Sequence, residues 1–269
     1  MNEQVDRRIL GAFVCVDSVT QESVTYPMQA AAPHWALKPN RSGIYVIFNG
    51  PGFSAQTGQF LPATPWPSPV SFEVTLQDPN RRYLPRRANV QAPQSVPDIP
   101  PPPAGSSTNP AALAALQNPA TVFDPQRVAV YRTPSAAVGP NWASIHASVT
   151  RLGSAPAQGL PWAVLRVTRN SDSSVLAVGV SDASGEALLA VPGLTPQASN
   201  SGVGPVTVST VAVTVTAYFD PAILTQLPGW IPNPDDVLGN LANPALKSAS
   251  QVLQLSAGQQ LPLSLAISV

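Results

Sequence analysis

The strongest constraint on the fold is a set of turn residues that recurs at the same spacing in the two halves of the chain. Asn40-Arg41-Ser42-Gly43 leads into an apolar run in the first half, and Asp182-Ala183-Ser184-Gly185 does so in the second. Each half then reaches an Asp-Pro pair, at Asp78-Pro79 and Asp220-Pro221, 35 residues after its glycine (78 − 43 and 220 − 185). Such internal similarity indicates a duplicated structural unit.

The segments around these turns have the pattern of β-strands. Val70, Phe72, Val74 and Leu76 alternate with polar residues, which predicts a strand with one buried face. Other runs rich in β-branched, aromatic or alternating apolar residues predict further strands at 9–16, 24–28, 44–48, 127–131, 142–152, 162–168, 175–180, 186–191, 206–219 (with a phase slip near 209) and 261–269. We therefore predict an all-β protein of two tandem antiparallel β-sandwich domains with immunoglobulin-like architecture.

The composition changes between the two halves. A proline run at Pro100–Pro103 is followed by Gly and Ser, which is typical of an extended linker with a flexible piece. We predict a first β-sandwich over residues 1–95, a Pro-rich connector over 96–126, and a second β-sandwich over 127–269. Ala111–Gln117 is predicted to form one or two helical turns, and short helical pieces are expected near the C-terminal end, around Asp235–Leu238.

The chain is poor in charged residues. They make up 10% of it, against roughly 25% in a typical soluble domain. Fourteen basic side chains balance fourteen acidic ones, so little repulsion opposes association, and the surface is either solubilised by neutral polar groups or covered by neighbouring subunits. This neutrality argues against a nucleic-acid binder. With no signal peptide or spanning segment evident, we expect no membrane insertion and a cytoplasmic protein.

No residue pattern predicts catalysis or cofactor binding. His34 and His146 lack the Glu or His at i+3 or i+4 that a helical metal site needs. Asp172 and Asp182 lack the ladder of oxygen ligands that calcium requires. The single Cys15 excludes an intramolecular disulfide and is expected in the core. We predict that the protein is not an enzyme and has neither a metal nor a cofactor.

The segment Asp78–Arg87 is the candidate partner-binding site. It holds four of the fourteen basic residues within seven positions, whereas the second Asp-Pro pair is followed by apolar residues. Arginine is enriched at protein interfaces because guanidinium is weakly hydrated and forms planar, bidentate pairs with carboxylates. An internal pair with Asp78 is the alternative for one of these arginines. The predicted partner-binding residues are Arg81, Arg82, Tyr83, Arg86 and Arg87.

Two sets of residues resemble known families. Val16-Asp17-Ser18-Val19-Thr20 with Asn40–Tyr45 in the first half, and Ser174–Ala187 in the second, resemble carboxypeptidase regulatory-like domains, also called transthyretin-like. Those domains are small, non-catalytic β-sandwiches. Asp78–Arg87 is similar to a segment of small two-lobed proteins encoded beside contractile, phage-tail-like injection particles. That resemblance implies a structural part in the baseplate, cap or fibre region of such a particle.

We therefore expect a non-enzymatic structural subunit of a multi-protein assembly. It would dock onto other subunits, or onto copies of itself, through exposed sheet edges and the arginine segment. The alternative is a surface or fibre-tip module that recognises a glycan or a host protein through its loops and tryptophans. Those tryptophans are Trp35, Trp66, Trp142, Trp162 and Trp230.

Overall fold

The computed structural model describes residues 9–51, 68–93, 124–194, 210–227 and 229–269. These residues form strands joined by turns, with a short 3₁₀ helix at Pro221–Thr225 and one α-helix, α1, at Pro234–Leu238. The strands are β1 (Gly11–Asp17), β2 (Gln29–Ala31), β3 (Ala36–Pro39), β4 (Ile44–Asn49), β5 (Val70–Gln77), β6 (Arg86–Ala92), β7 (Gln126–Val130), β8 (Ala143–Arg151), β9 (Val164–Arg169), β10 (Val175–Val180), β11 (Glu186–Val191), β12 (Val211–Phe219), β13 (Lys247–Leu255) and β14 (Gln260–Ile267). The predicted all-β class is confirmed.

The described residues group into two compact units. Unit 2 consists of Asp17–Gln21, Asp78–Arg86 and the described part of Val130–Val269, and unit 1 contains the other described residues. The arginine segment through Arg86 therefore belongs to unit 2, although in the chain it directly follows β5, which belongs to unit 1. The contiguous boundaries at residues 95 and 127 stay a prediction, since most of the connector lies outside the described residues.

Unit 1 contains two sheets, with the strand orders β3-β4-β1-β7 and β2-β5-β6. Phe13 on β1 and Tyr45 on β4 stack with ring centroids 4.8 Å apart. The Tyr45 hydroxyl is buried and donates a hydrogen bond to the Met28 carbonyl at 2.5 Å. Burial raises the pKa of Tyr45 to about 12, because the charged phenolate loses its hydration inside the protein.

Unit 2 is a β-sandwich of a four-stranded sheet, β10-β9-β12-β13, and a three-stranded sheet, β11-β8-β14. Its core holds side chains from both sheets, including Ile145 and Leu189 from one and Val167 and Val215 from the other. All but one of its strand pairs are antiparallel. The exception is β14, which pairs parallel to β8.

The predicted duplication is visible in the turns. In each turn the side-chain oxygen of the first residue accepts hydrogen bonds from the N–H groups two and four positions later. The distances are 2.9 and 2.9 Å at Asn40, and 2.8 and 3.1 Å at Asp182. Gly43 and Gly185 adopt φ of 76° and 88°, values that glycine reaches at little cost. The same type of turn therefore precedes β4 in the first half and β11 in the second.

The strand order repeats as well. The order β4-β1-β7 in unit 1 corresponds to β11-β8-β14 in unit 2, and β2-β5-β6 corresponds to β9-β12-β13. One strand differs: β3 pairs with β4, whereas its counterpart β10 pairs with β9. By this correspondence, β6 and β13 are the outer strands at equivalent edges of the two units.

Several elements differ from the sequence-based expectations. The strands β3, β6 and β13 were not predicted, and β2 lies at Gln29–Ala31 instead of 24–28. The strand at Gln126–Val130 was expected to open the second sandwich, but its hydrogen bonds run to β1. Most of the connector, including the predicted helix at 111–117, lies outside the described residues, as do the phase slip near 209 and Trp66.

Candidate functional site

The arginine segment begins with a loop that Asp78 holds in shape. The Asp78 carboxylate accepts hydrogen bonds from the backbone N–H groups of Asn80, Arg82 and Tyr83, at 2.8, 2.8 and 3.1 Å. Arg81 adopts a φ of 55°, in the left-handed region that is uncommon for residues other than glycine. The carboxylate that was the alternative partner for an arginine side chain thus binds the backbone of the loop. The side chains of Arg81 and Arg82 are exposed.

A neighbouring segment of unit 2 fixes the other side of this loop. Thr133 donates from its N–H to the Arg82 carbonyl at 2.9 Å and from its hydroxyl to the Arg81 carbonyl at 3.1 Å. The Leu84 N–H donates to the Tyr131 carbonyl at 2.8 Å. Because both loop carbonyls are bonded, the backbone that carries Arg81 and Arg82 is held at both ends.

Tyr83 belongs to a polar cluster around Asp17, which is 3% exposed. The Asp17 carboxylate accepts from the Tyr83 hydroxyl at 2.9 Å and from Nε of Arg132 at 2.9 Å. The Arg132 guanidinium also lies over the ring of Trp142, 5.2 Å from its centroid. The Tyr83 hydroxyl and the Arg132 guanidinium, which is both a donor and a cation, compensate the buried charge of Asp17, so this cluster stabilises unit 2.

Arg86 occupies an inward position at the start of β6 and is 1% exposed. Its guanidinium contacts Asp235 on α1 at 2.5 Å and the side-chain oxygen of Asn233 at 3.1 Å. It also lies 5.6 Å from the centroid of the Tyr131 ring. Burial raises the pKa of Tyr131 to about 12, although the nearby positive charge of Arg86 favours the phenolate and opposes that rise.

Arg87 is the one member of the predicted site that lies in unit 1, where it pairs with Glu73 at 2.9 Å. Of the five predicted residues, Tyr83, Arg86 and Arg87 therefore contact acidic side chains of their own unit, and Arg81 and Arg82 are the exposed pair. Partner binding by the set stays a prediction. The structure directs attention to Arg81 and Arg82.

Sequence reasoning missed a second surface, the outer edge of β13, which we call the β13 edge. The strand KSASQVLQL carries one charge, at Lys247, and eight of its nine residues are exposed or half-exposed, with only Leu255 buried. Val252 is 60% exposed, and Ala249 and Leu253 pack only partly against the core. Within the described ranges β12 alone pairs with β13. Long edges with few charges are templates for another strand.

Hydrogen bonds identify the backbone groups that face outward on β13. The Asn170 N–H donates to the Ala212 carbonyl at 3.0 Å, so the even-numbered residues of β12 face β9, because hydrogen-bonding direction alternates along a strand. The odd-numbered residues of β12 then face β13, and they pair with its odd-numbered residues, such as Val215 with Gln251. The N–H and C=O groups that point away from the sheet are those of Ser248, Ser250, Val252 and Gln254.

The equivalent edge in unit 1 is protected. On β6 the N–H and C=O of Gln91 both bond to the side-chain amide of Gln126, at 2.9 and 2.7 Å. β6 also begins with two arginines, and Arg87 is paired with Glu73. Side-chain caps and charges on an edge discourage pairing with another strand. In the part of the chain that the structure describes, the duplication has thus produced one edge with a side-chain cap and paired charges, on β6, and one edge without them, on β13.

The other residues considered from the sequence have ordinary surroundings. His146 lies exposed on the polar face of β8, and Trp35 stacks on Phe72 with centroids 3.9 Å apart. In the described part of the chain, no group of three or more His, Cys, Asp or Glu side chains could hold a metal ion. None of the described helices is both long enough and apolar enough to cross a membrane.

Unit 1 also has an open groove of about 410 Å³ between β2, β3, β4 and β5. Its lining includes Met28, Leu37, Tyr45 and Thr75 and has no charged residue. The groove offers apolar surface with few directed polar groups, which is not enough to specify one ligand.

Comparisons with known proteins add little to this description. No family model matches the chain, and no curated protein matches it. A solved structure, the Bacillus anthracis TIE protein, is similar over 97% of this chain and 34% of its own, with 8% sequence identity and a TM-score of 0.27. The chain thus spans about a third of that protein's length. A likeness at this level does not bear on function.

Proposed function

We propose that this chain is a non-enzymatic structural subunit that joins a multi-protein assembly by strand addition at the β13 edge. The observation that carries the proposal is the contrast between this edge and the capped, charged edge of β6. In strand addition the backbone hydrogen bonds supply affinity, and exposed side chains on alternate positions supply specificity. The partner is another protein strand, with no nucleic acid involved.

The exposed Arg81 and Arg82 form the second contact in this proposal. The backbone of their loop is fixed by Asp78 and Thr133, so little backbone entropy is lost when a partner carboxylate binds them. The similarity of Asp78–Arg87 to proteins encoded beside contractile injection particles favours such a particle as the assembly. As a small β-sandwich subunit, the chain would form part of the baseplate, cap or fibre region of that particle.

The test is incorporation of a tagged full-length chain into high-mass complexes in its native host, followed by imaging of the purified complex. Val252→Pro removes an outward N–H and leaves the β12 ladder intact, whereas Val252→Thr keeps that N–H and serves as the matched control. We expect incorporation to fall about tenfold for the proline variant, since a bond is lost and the ring hinders an approaching strand.

The arginine contact is tested separately. Arg81→Ser with Arg82→Ser should reduce incorporation, and the same charge change at the exposed Arg41 and Arg151 should not. Normal incorporation of both the proline variant and the Arg81/Arg82 variant would overturn the proposed function. Specific binding to a glycan array, lost on replacing a tryptophan, would favour the alternative of a recognition module.

A further inference from the structure

The β13 edge has a self-complementary sequence, and we infer that its partner is the β13 edge of a second copy of this chain. This inference rests on the proposed function, because it names the strand that is added. The two copies would pair antiparallel about a two-fold axis at Gln251. Both four-stranded sheets would then join into one continuous sheet.

The outward backbone groups select this register. Only the even-numbered residues of β13 offer N–H and C=O groups to a new strand, so each of them must lie opposite an even-numbered residue of the second copy. Centring the pair on Gln251 places Ser250 opposite Val252 and Ser248 opposite Gln254. This arrangement pairs all nine residues, Lys247–Leu255, whereas any other centre leaves residues unpaired at both ends.

The side chains fit the same register. On the core-facing side, Ala249 would lie opposite Leu253 of the second copy, so a small residue meets a large one at both symmetric positions. These two residues are only partly buried in one chain, and the pairing would bury more of their apolar surface on each side of the Gln251 pair, which lies on the same face at the axis. Burial of apolar area of this kind is the main favourable term in association.

Charge does not oppose the pairing. Lys247 is the one charged residue of the strand, and in this register it lies opposite Leu255 of the second copy. The two Lys247 residues would be eight positions apart along the paired strands, or roughly 27 Å, beyond the Debye length at physiological salt. The exposed outer face carries Ser, Val and Gln, which add no repulsion.

Gln251→Cys tests the register directly in the full-length chain. Residues on the axis form a non-hydrogen-bonded pair with Cα atoms about 4.5 Å apart, which is within the range for a disulfide. Mild oxidation should therefore cross-link Gln251→Cys into a dimer. Ala249→Cys is the matched control, because the two copies of that position would lie roughly 14 Å apart. The wild type should not cross-link, since Cys15 is 1% exposed.

Sedimentation velocity tests association without a cross-link. The wild type should sediment as a dimer of about 56 kDa, twice its 28.0 kDa mass. Val252→Lys would place two like charges at diagonal positions about 7–8 Å apart, so its dissociation constant should rise about tenfold or more. Ser248→Lys adds the same charge far from the axis and should change that constant less than about threefold.

A monomeric wild type at high micromolar concentration would overturn the inference, and so would cross-linking of Ala249→Cys in preference to Gln251→Cys. Thermal unfolding of each variant separates misfolding from loss of pairing. If the chain is monomeric yet Val252→Pro still abolishes incorporation in the host, the proposed function stands with a different partner strand. If neither experiment responds to changes on β13, both ideas fail.

Discussion

The ion pair between Arg86 and Asp235 leads to a quantitative prediction about the stability of unit 2. The Arg86 side chain is 1% exposed and that of Asp235 is 55% exposed. Asp235→Asn keeps the shape but removes the charge, while the contacts of the guanidinium with Asn233 and the Tyr131 ring remain. A hydrogen bond to a charged group contributes about 1.5–3 kcal/mol. Because solvent screens Asp235, we expect a loss near the lower end, about 2 kcal/mol.

A double-mutant cycle measures this contribution. Arg86→Met removes the cation and keeps an apolar stem, so Asp235 becomes an ordinary exposed carboxylate. In that background Asp235→Asn should cost less than about 0.5 kcal/mol. Thermal unfolding followed by circular dichroism should show a Tm about 4–8 °C lower for Asp235→Asn alone. An interaction energy below about 0.5 kcal/mol would refute the reasoning, because it would mean that Asp235 does not compensate the buried charge.

Two further predictions concern the backbone and the response to alkali. Gly185→Ala should lower the unfolding free energy by about 3 kcal/mol, because at a φ of 88° the new Cβ would lie 2.5 Å from the Val149 carbonyl oxygen. Gly193→Ala is the control: its φ is 74°, but no described atom beyond the adjacent residues lies within 4 Å of the new Cβ, so it should cost about 1 kcal/mol. Equal losses for the two variants in thermal unfolding would contradict the close approach at Gly185. Because the pKa of Tyr131 is raised to about 12, its contribution to the unfolding free energy should be constant below about pH 10 and should fall from pH 10 to 12, as the unfolded phenol ionises first. Tyr131→Phe should reduce the slope of unfolding free energy against pH in this range, leaving the part due to Tyr45, whose pKa is also raised to about 12. An unchanged slope would show that Tyr131 is not buried.

Much of the sandwich architecture could be predicted from the sequence. The strands at Val70–Gln77, Val175–Val180 and Glu186–Val191 have the bounds that their patterns predicted. The sequence patterns of these strands are clear because each strand has one face, or a whole run of residues, that is buried, and buried positions are occupied by apolar side chains. The repeated turns at Asn40 and Asp182 were also visible, since a side-chain acceptor and a glycine are needed together there.

The strands β6 and β13 could not be found in the same way, for two different reasons. On β6 an inward position is occupied by Arg86, whose buried charge is compensated by Asp235, 149 positions later in the chain. No local pattern reveals such a distant partner. On β13 the alternation is weak because an outer strand leaves both faces exposed, so Ser and Gln replace apolar residues. The available signal was a nine-residue segment with one charge that contains Val252 and Leu253.

Amide hydrogen exchange along β13 tests the central claim most directly. In the monomeric form, produced by dilution or by Val252→Lys, the amides of Ser248, Ser250, Val252 and Gln254 should exchange fast, while their odd-numbered neighbours bonded to β12 exchange slowly. In the assembled form all of these amides should be protected. Protection that stays alternating in the assembled state would contradict the account, because it would show that no strand is added at this edge.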